Sequence, residues 1–146
     1  MKTVAQMLCD KPQQKVHTID VDAPMLEALR LMARQNIGAL PVTRGSSLLG
    51  IVSERDYARK GVLQGRSSVA TSVRAFMTEP VLTVSPRQSI RECMALMTEH
   101  HLRHLPVLDN GVLVGLLSIG DLVKEAMAEQ DALIQHLEQY IRGEVA

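Results

Sequence analysis

The chain has 146 residues, 16 basic against 16 acidic side chains, no Trp, one Phe and two Tyr. Zero net charge and the scarcity of aromatic rings exclude a broadly basic nucleic-acid surface and a stacking platform for single-stranded bases. The length suits one compact domain or two small halves packed together, and no apolar run reaches the length of a signal peptide or a membrane span, so a cytoplasmic protein with no membrane or nucleic-acid partner is expected.

In chain order, residues 3–9 read as a short helix with Val4, Met7 and Leu8 on one side, and residues 11–15 as polar linker. Val16-His17-Thr18-Ile19 reads as a short strand. Asp22-Ala23-Pro24 opens a helix, with Asp22 as its cap and Pro24 in its first turn. Met25, Leu26, Leu29, Met32 and Ala33 recur at helical spacing, and Asn36-Ile37-Gly38 is a stop signal. Ala39-Leu40-Pro41-Val42-Thr43 is a strand whose proline, lacking an N–H, requires a strand start, an edge or a bulge. A turn over 44–47 returns the chain through a second strand, 48–53, into a helix over 54–60 ended by Gly61. Residues 62–80 are the least patterned and read as a connection, although Val73-Arg74-Ala75-Phe76-Met77 echoes residues 4–8.

The pattern then recurs. Val81-Leu82-Thr83-Val84 reads as a strand. Ser89 and Glu92 have capping-box spacing at the start of a helix with Ile90, Cys93, Met94 and Met97 on its apolar face, ending at His100-His101. Leu105-Pro106-Val107-Leu108 is the proline strand, Asp109-Asn110-Gly111 a turn, and 112–118 the returning strand. From 119 to 142 apolar residues recur at Val123, Met127, Leu133, Ile134, Leu137 and Ile141, so one long amphipathic helix is expected, stopped at Gly143 and without counterpart in the first copy.

Residues 16–60 lie over 81–125 without a gap at a constant offset of 65. Identities fall at structural punctuation: Thr18/Thr83, Leu40/Leu105, Pro41/Pro106, Val42/Val107, Gly50/Gly115, Ser53/Ser118 and Asp56/Asp121. The expected fold is α+β, two repeats of strand–helix–strand–strand–helix, each too small to close a core alone and packed with pseudo-twofold symmetry. The expected division is a first repeat with its N-terminal segment over 1–61, a connection over 62–80, a second repeat over 81–125 and a helical extension over 126–146. Cys9 and Cys93 lack metal-ligand spacing and are expected to be buried, reduced thiols. His100, His101 and His104 are expected at a solvated helix end rather than around a metal, because the helix stops between them and no Cys or carboxylate completes the set. No P-loop, Gly-x-Gly-x-x-Gly, His-Glu-x-x-His or Gly-x-Ser-x-Gly occurs, so neither catalysis nor a catalytic cofactor is expected.

The order Thr-apolar, amphipathic helix, Leu-Pro-Val, then Gly-apolar-apolar-Ser-x-x-Asp resembles the CBS domain, named for cystathionine β-synthase. It occurs twice, so nearly the whole chain resembles a stand-alone CBS pair. Residues 50–57 and Leu102-Arg103-His104-Leu105-Pro106-Val107 are similar to phrases of small bacterial and plant-organelle proteins that contain only such a pair. The resemblance implies a sensor that binds an adenine-containing ligand in the cleft between the repeats, AMP first, with ADP, ATP, NAD(H) or S-adenosylmethionine as alternatives. It also implies a homodimer forming a disc of four CBS units and an unidentified regulated protein.

The residues themselves fit such a ligand. Ser53 and Asp56 sit at a strand-to-helix corner, where backbone N–H groups attract anions. An Asp carboxylate can accept from both ribose hydroxyls, and Arg55 offers a planar cation to phosphate. The resemblance assigns ribose to Asp56 and Asp121, and the hydroxyl role to Ser53 and Ser118. It sets the base beside Thr18-Ile19 and Ala39-Leu40-Pro41, or beside Thr83-Val84 and His104-Leu105-Pro106. Arg103 and His104 of the second repeat are expected to face the Ser53/Asp56 site. Gly38-Ala39 and Ile119-Gly120 stand where the partner repeat has Arg103-His104 and Glu54-Arg55, so the clefts are unequal. The first is expected to be the better phosphate site; the second binds less tightly, takes another group or stays empty. Both Ser/Asp pairs also have the spacing of helix caps, and both roles are expected of them. A ligand-independent scaffold that pairs through the C-terminal helix is the competing reading.

Overall fold

The computed structural model describes residues 2–10 and 15–143. Helix α1 (Val4–Cys9) precedes β1 (Ile19–Asp20), α2 (Met25–Gln35), β2 (Ala39–Arg44), β3 (Ser47–Ser53) and the one-turn α3 (Glu54–Tyr57), which widens into a π-helical turn over Ala58–Val62. After a 3-10 turn at Val73–Ala75 come α4 (Ile90–His100), β4 (His104–Asp109), β5 (Val112–Ser118) and α5 (Ile119–Ile141). The linker expected over 11–15 lies outside the described residues except for Lys15.

Each repeat is a small sheet backed by helices. In the first, β1 runs parallel to β2 and β2 antiparallel to β3. In the second, β4 and β5 pair identically, but the first strand shrinks to a single parallel bridge between Val84 and Val107. The offset explains the difference. Val21 donates its N–H to Thr43 O at 3.0 Å, and Pro86, which stands at the equivalent position, has no N–H to give. Both hairpins carry a register shift at the same place, between Val42 and Thr43 and between Val107 and Leu108, one residue beyond each Leu-Pro-Val. The stop signals are also matched: Asn36 and His101 both end their helices in the left-handed region, at φ 54° and 56°. Asn and His tolerate that region better than most residues with a Cβ.

Several expectations are corrected. The strand expected at 16–19 is the two-residue β1, shifted toward Asp20. Asp22 does not cap α2: Pro24 occupies the cap position without a side-chain bond, and Asp22 pairs with Arg74 at 3.2 Å. Gly61 does not end its helix. It lies buried within the π-helical turn, where a Cβ would stand 2.7 Å from the Tyr57 ring. Tyr57 is in turn tilted against Phe76, with ring centroids 5.9 Å apart. Cys9 is exposed, because the apolar side of α1 ends before it; Cys93 is buried, and desolvation pushes its thiol up to about 11.

Two apolar cores form, and neither is closed by its own repeat. Val4 and Met7 of α1 are buried among Val84, Ile90, Met97, Leu105 and Leu122 of the second repeat. Val73, Phe76 and Met77 are buried among Ile19, Met25, Met32, Leu40 and Val52 of the first. The echo between residues 4–8 and 73–77 therefore marks two segments with one job, each closing a core. Backbone bonds fix both: Val4 donates to Gln88 O and Ile90 to Lys2 O, while Val73 donates to Ala23 O and Met25 to Thr71 O. Lys2 also pairs with Glu125 of α5 at 2.8 Å.

Gly50 and Gly115 lie where these segments cross the sheets. A Cβ on Gly50 would stand 2.7 Å from Thr78 O, a backbone atom held by the mutual Ile51–Thr78 bridge. A Cβ on Gly115 would stand 2.8 Å from Leu8 Cδ2, the end of a flexible side chain. Gly50→Ala should therefore lower stability by about 1–3 kcal/mol and Gly115→Ala by distinctly less. Urea denaturation of the two variants would show the order, and equal losses would contradict it.

Candidate functional site

The strand-to-helix corners are built alike. Ser53 Oγ accepts the Asp56 N–H at 3.1 Å and donates to Asp56 Oδ2 at 2.9 Å, and the same Oδ2 accepts the Ser53 N–H at 2.9 Å. In the second repeat Ser118 Oγ accepts the Asp121 N–H at 3.1 Å, and Asp121 Oδ2 accepts the Ser118 N–H at 3.3 Å. The first helical N–H of each corner is also engaged, Glu54 to Gly38 O at 3.1 Å and Ile119 to Arg103 O at 2.8 Å. The corners are thus capped by the protein itself. Two of the N–H groups expected to attract an anion at the first corner are already bonded, and Ser53 Oγ already both donates and accepts. Asp56 Oδ1 is left with Lys60 Nζ only loosely near it, at 4.0 Å.

Two clefts lie between the repeats, of about 760 and 680 Å³, within the usual range for small-molecule sites, roughly 300–1,000 Å³. Each combines the corner of one repeat with the helix stop of the other. The first joins Ser53, Arg55 and Asp56 to His101, Arg103 and His104. The second joins Ser118 and Asp121 to Asn36, Gly38 and Ala39, with Lys15, Val16 and His17 at its edge. Arg59, one turn after Arg55, gives the first cleft a third guanidinium. Among the described residues none of Arg55, Arg59 and Arg103 is held in an ion pair. Three uncommitted guanidinium groups outweigh the two carboxylates of Glu54 and Asp56 there, whereas the second cleft sets Lys15 against Asp121.

The other expected residues sit elsewhere. Ile19, Leu40, Pro41, Val84, Leu105 and Pro106 are buried in or against the sheets; Thr18 is exposed and Thr83 half-buried, and none of them lines either cleft. Ala39 and His104 line both. Sequence reasoning missed Ile51, Arg59, Thr78 and His101 in the first cleft, and Lys15, Val16, His17 and Asn36 in the second. The spacing of Arg55 and Arg59, four residues apart at a helix start, was the available signal for Arg59. Asn36 and His101 become visible once each corner is matched to the opposite helix stop. His104 is half-buried, and desolvation, opposed by Asp121 and reinforced by Arg103, lowers its pKa below the ordinary 6.5. Among the described residues no helix is long and apolar enough to cross a membrane.

A duplicated α+β unit whose two copies enclose a pair of clefts defines a tandem-repeat binding fold. The CBS-domain family model matches residues 6–62 and again 73–128, and the chain belongs to that family as a tandem pair. It is 39% identical over 127 residues to the Arabidopsis thaliana mitochondrial protein CBSX3, covering 84% of this chain and 62% of that protein's length. It is 32% identical over 123 residues to YhcV of Bacillus subtilis, covering 84% of this chain and 87% of the relative. A Burkholderia ambifaria protein with CBS domains superposes with a TM-score of 0.84 at 56% identity, over 88% of this chain and 96% of that one. CBSX2, solved in complex with AMP, superposes at 0.71 with 25% identity, over 88% and 98%.

The depressed His104 pKa carries a stability consequence. The unfolded chain takes up a proton near pH 6.5 that the folded chain resists, so His104 contributes stability above that pH and loses it as pH falls toward its folded value. The melting temperature of His104→Gln should therefore fall less steeply than that of the native chain between pH 7 and 5. Parallel pH profiles would refute this.

Proposed function

We propose that the protein is a non-catalytic regulatory module that holds an adenine nucleotide, AMP first with ATP or NAD(H) as alternatives, in the first cleft and passes its presence to a partner protein. The observation that carries this reading is the convergence on one cleft of Asp56 with Arg55, Arg59 and Arg103, drawn from both repeats. Asp56 Oδ1 is suited to a ribose diol, and the guanidinium forks to phosphate oxygens. Ala39 and Ile51 offer apolar contact to a base. Because the cleft is bounded by both repeats, a ligand bridging them favours one mutual arrangement, which is the means of signalling. The AMP complex of CBSX2 supports the ligand class. The second cleft, with one lysine and one aspartate, is the weaker site in this reading, and the protein acts in the cytoplasm.

A second reading is favoured by α5. Its apolar stripe is uncovered: Met127 is 59%, Tyr140 69% and Ile141 82% exposed, and Leu133, Ile134 and Leu137 are also exposed. Met127, Ile134 and Ile141 recur every seven residues, as do Val123 and Leu137 about Gln130, the spacing of a helix that packs along another helix. We propose that a second copy of the chain covers it in a homodimer, a role that needs no ligand.

Two measurements separate the readings. AMP at a hundredfold excess over its Kd should raise the melting temperature by about 5–10 °C. Arg103→Ala, exposed and unpaired, should weaken binding roughly tenfold while leaving the ligand-free melting temperature unchanged. Absence of any shift with AMP, ATP, NAD or NADH would end the nucleotide reading. Truncation after Glu125 should convert a dimer to a monomer by light scattering, and an unchanged mass would end the role of α5.

A further inference from the structure

Positions 39 and 104 are equivalent under the repeat offset, and both border both clefts. They form the wall that the two clefts share. In the first repeat that position is a methyl group, Ala39; in the second it is an imidazole, His104. Ala39 pairs with Ser53 across its hairpin and His104 with Ser118, so each stands beside the cap of its own corner while facing the opposite one. The protein thus sets a titratable residue in the wall common to both clefts.

We propose that His104 is a proton-linked coupling residue: an anionic group bound in either cleft draws a proton onto its ring, and the charged ring then serves both clefts. The idea rests on the reading of the clefts as nucleotide sites. A neutral imidazole has one N–H donor and one acceptor, so it can donate to one cleft only; the imidazolium donates from both nitrogens. The first cleft also holds the cationic Arg55, Arg59 and Arg103, the acidic Glu54 and Asp56, and His101, and the second Asp121, Lys15 and His17. Of these, Asp121 and Arg103 act on the ring. Desolvation and Arg103 disfavour the charged ring, against the pull of Asp121. A phosphate held at Arg103 cancels part of the charge that opposes protonation and adds its own attraction, so both changes act in the same direction. Anion binding therefore takes up a proton, affinity rises as pH falls toward 6, and filling one cleft prepares the wall of the other.

The test is a ring-nitrogen NMR titration of the full chain without and with saturating AMP, the His104 signals being assigned by their loss in His104→Gln. The expected result is a His104 pKa below 6.5 in the free protein that rises by about one unit or more with AMP, a tenfold shift in proton affinity. In parallel, the pH dependence of AMP affinity between pH 7.5 and 6 should be steeper in the native chain than in His104→Gln, a comparison in which titration of the AMP phosphate itself cancels. AMP-dependent shifts at the Ser53 and Asp56 amides with an unmoved His104 pKa would overturn the coupling and leave the nucleotide reading intact. No AMP-dependent shift at any residue would overturn both.

Discussion

The constraint on which the rest of the structure depends is that a CBS repeat of this length cannot close its own core. A sheet of two or three strands backed by helices leaves one apolar edge open, and here each edge is closed by a segment from outside the repeat's own strand–helix–strand–strand–helix run. Val4 and Met7 fill the second core; Val73, Phe76 and Met77 fill the first. Glycine at 50 and 115 follows directly, because the closing segments pass too near the sheet for a Cβ. The crossing also binds the two repeats into one unit, and the clefts exist only because the repeats are held face to face.

Within those clefts the corner chemistry divides each aspartate's labour. One carboxylate oxygen of Asp56 is committed to its own helix start, where it fixes the turn, and the other is only loosely paired with Lys60. Such pre-engagement costs a ligand its access to Ser53 but leaves Asp56 immobile, so little side-chain freedom remains to be lost on binding. The guanidinium groups around it are the opposite case, exposed and uncommitted. The site therefore combines one rigid acceptor with several adaptable donors.

Much of this architecture was legible in the chain. A gapless offset of 65 residues aligned both helices, both hairpins and both corners, because turn and cap chemistry is local and leaves local marks: Ser and Asp three apart, Asn-Gly, a left-handed Asn or His after a helix. The strand expected over 81–84 is the exception, reduced to one bridge where Pro86 has no N–H to give. What escaped was non-local. The place of Asp22 before Pro24 has the look of a cap, whereas its carboxylate is drawn to Arg74, far along the chain. Gly61 has the look of a stop, whereas ring packing from Tyr57 and Phe76 sets its place. The walls of the clefts were half visible, since no pattern within one repeat announces which residues of the other will face it.

The crossing of α1 has a consequence for synthesis. Val4 and Met7 are made well before the side chains that bury them, from Val84 to Leu122. The first repeat receives its own closing segment soon after it is made, since residues 73–77 follow it directly in the chain. The α1 segment must instead wait, apolar and unhoused, until the second repeat is available. Contacts of such long sequence separation are the slow ones to form. Within this pair of repeats the first core can thus close before the second, and α1 settles only once the second repeat has been made.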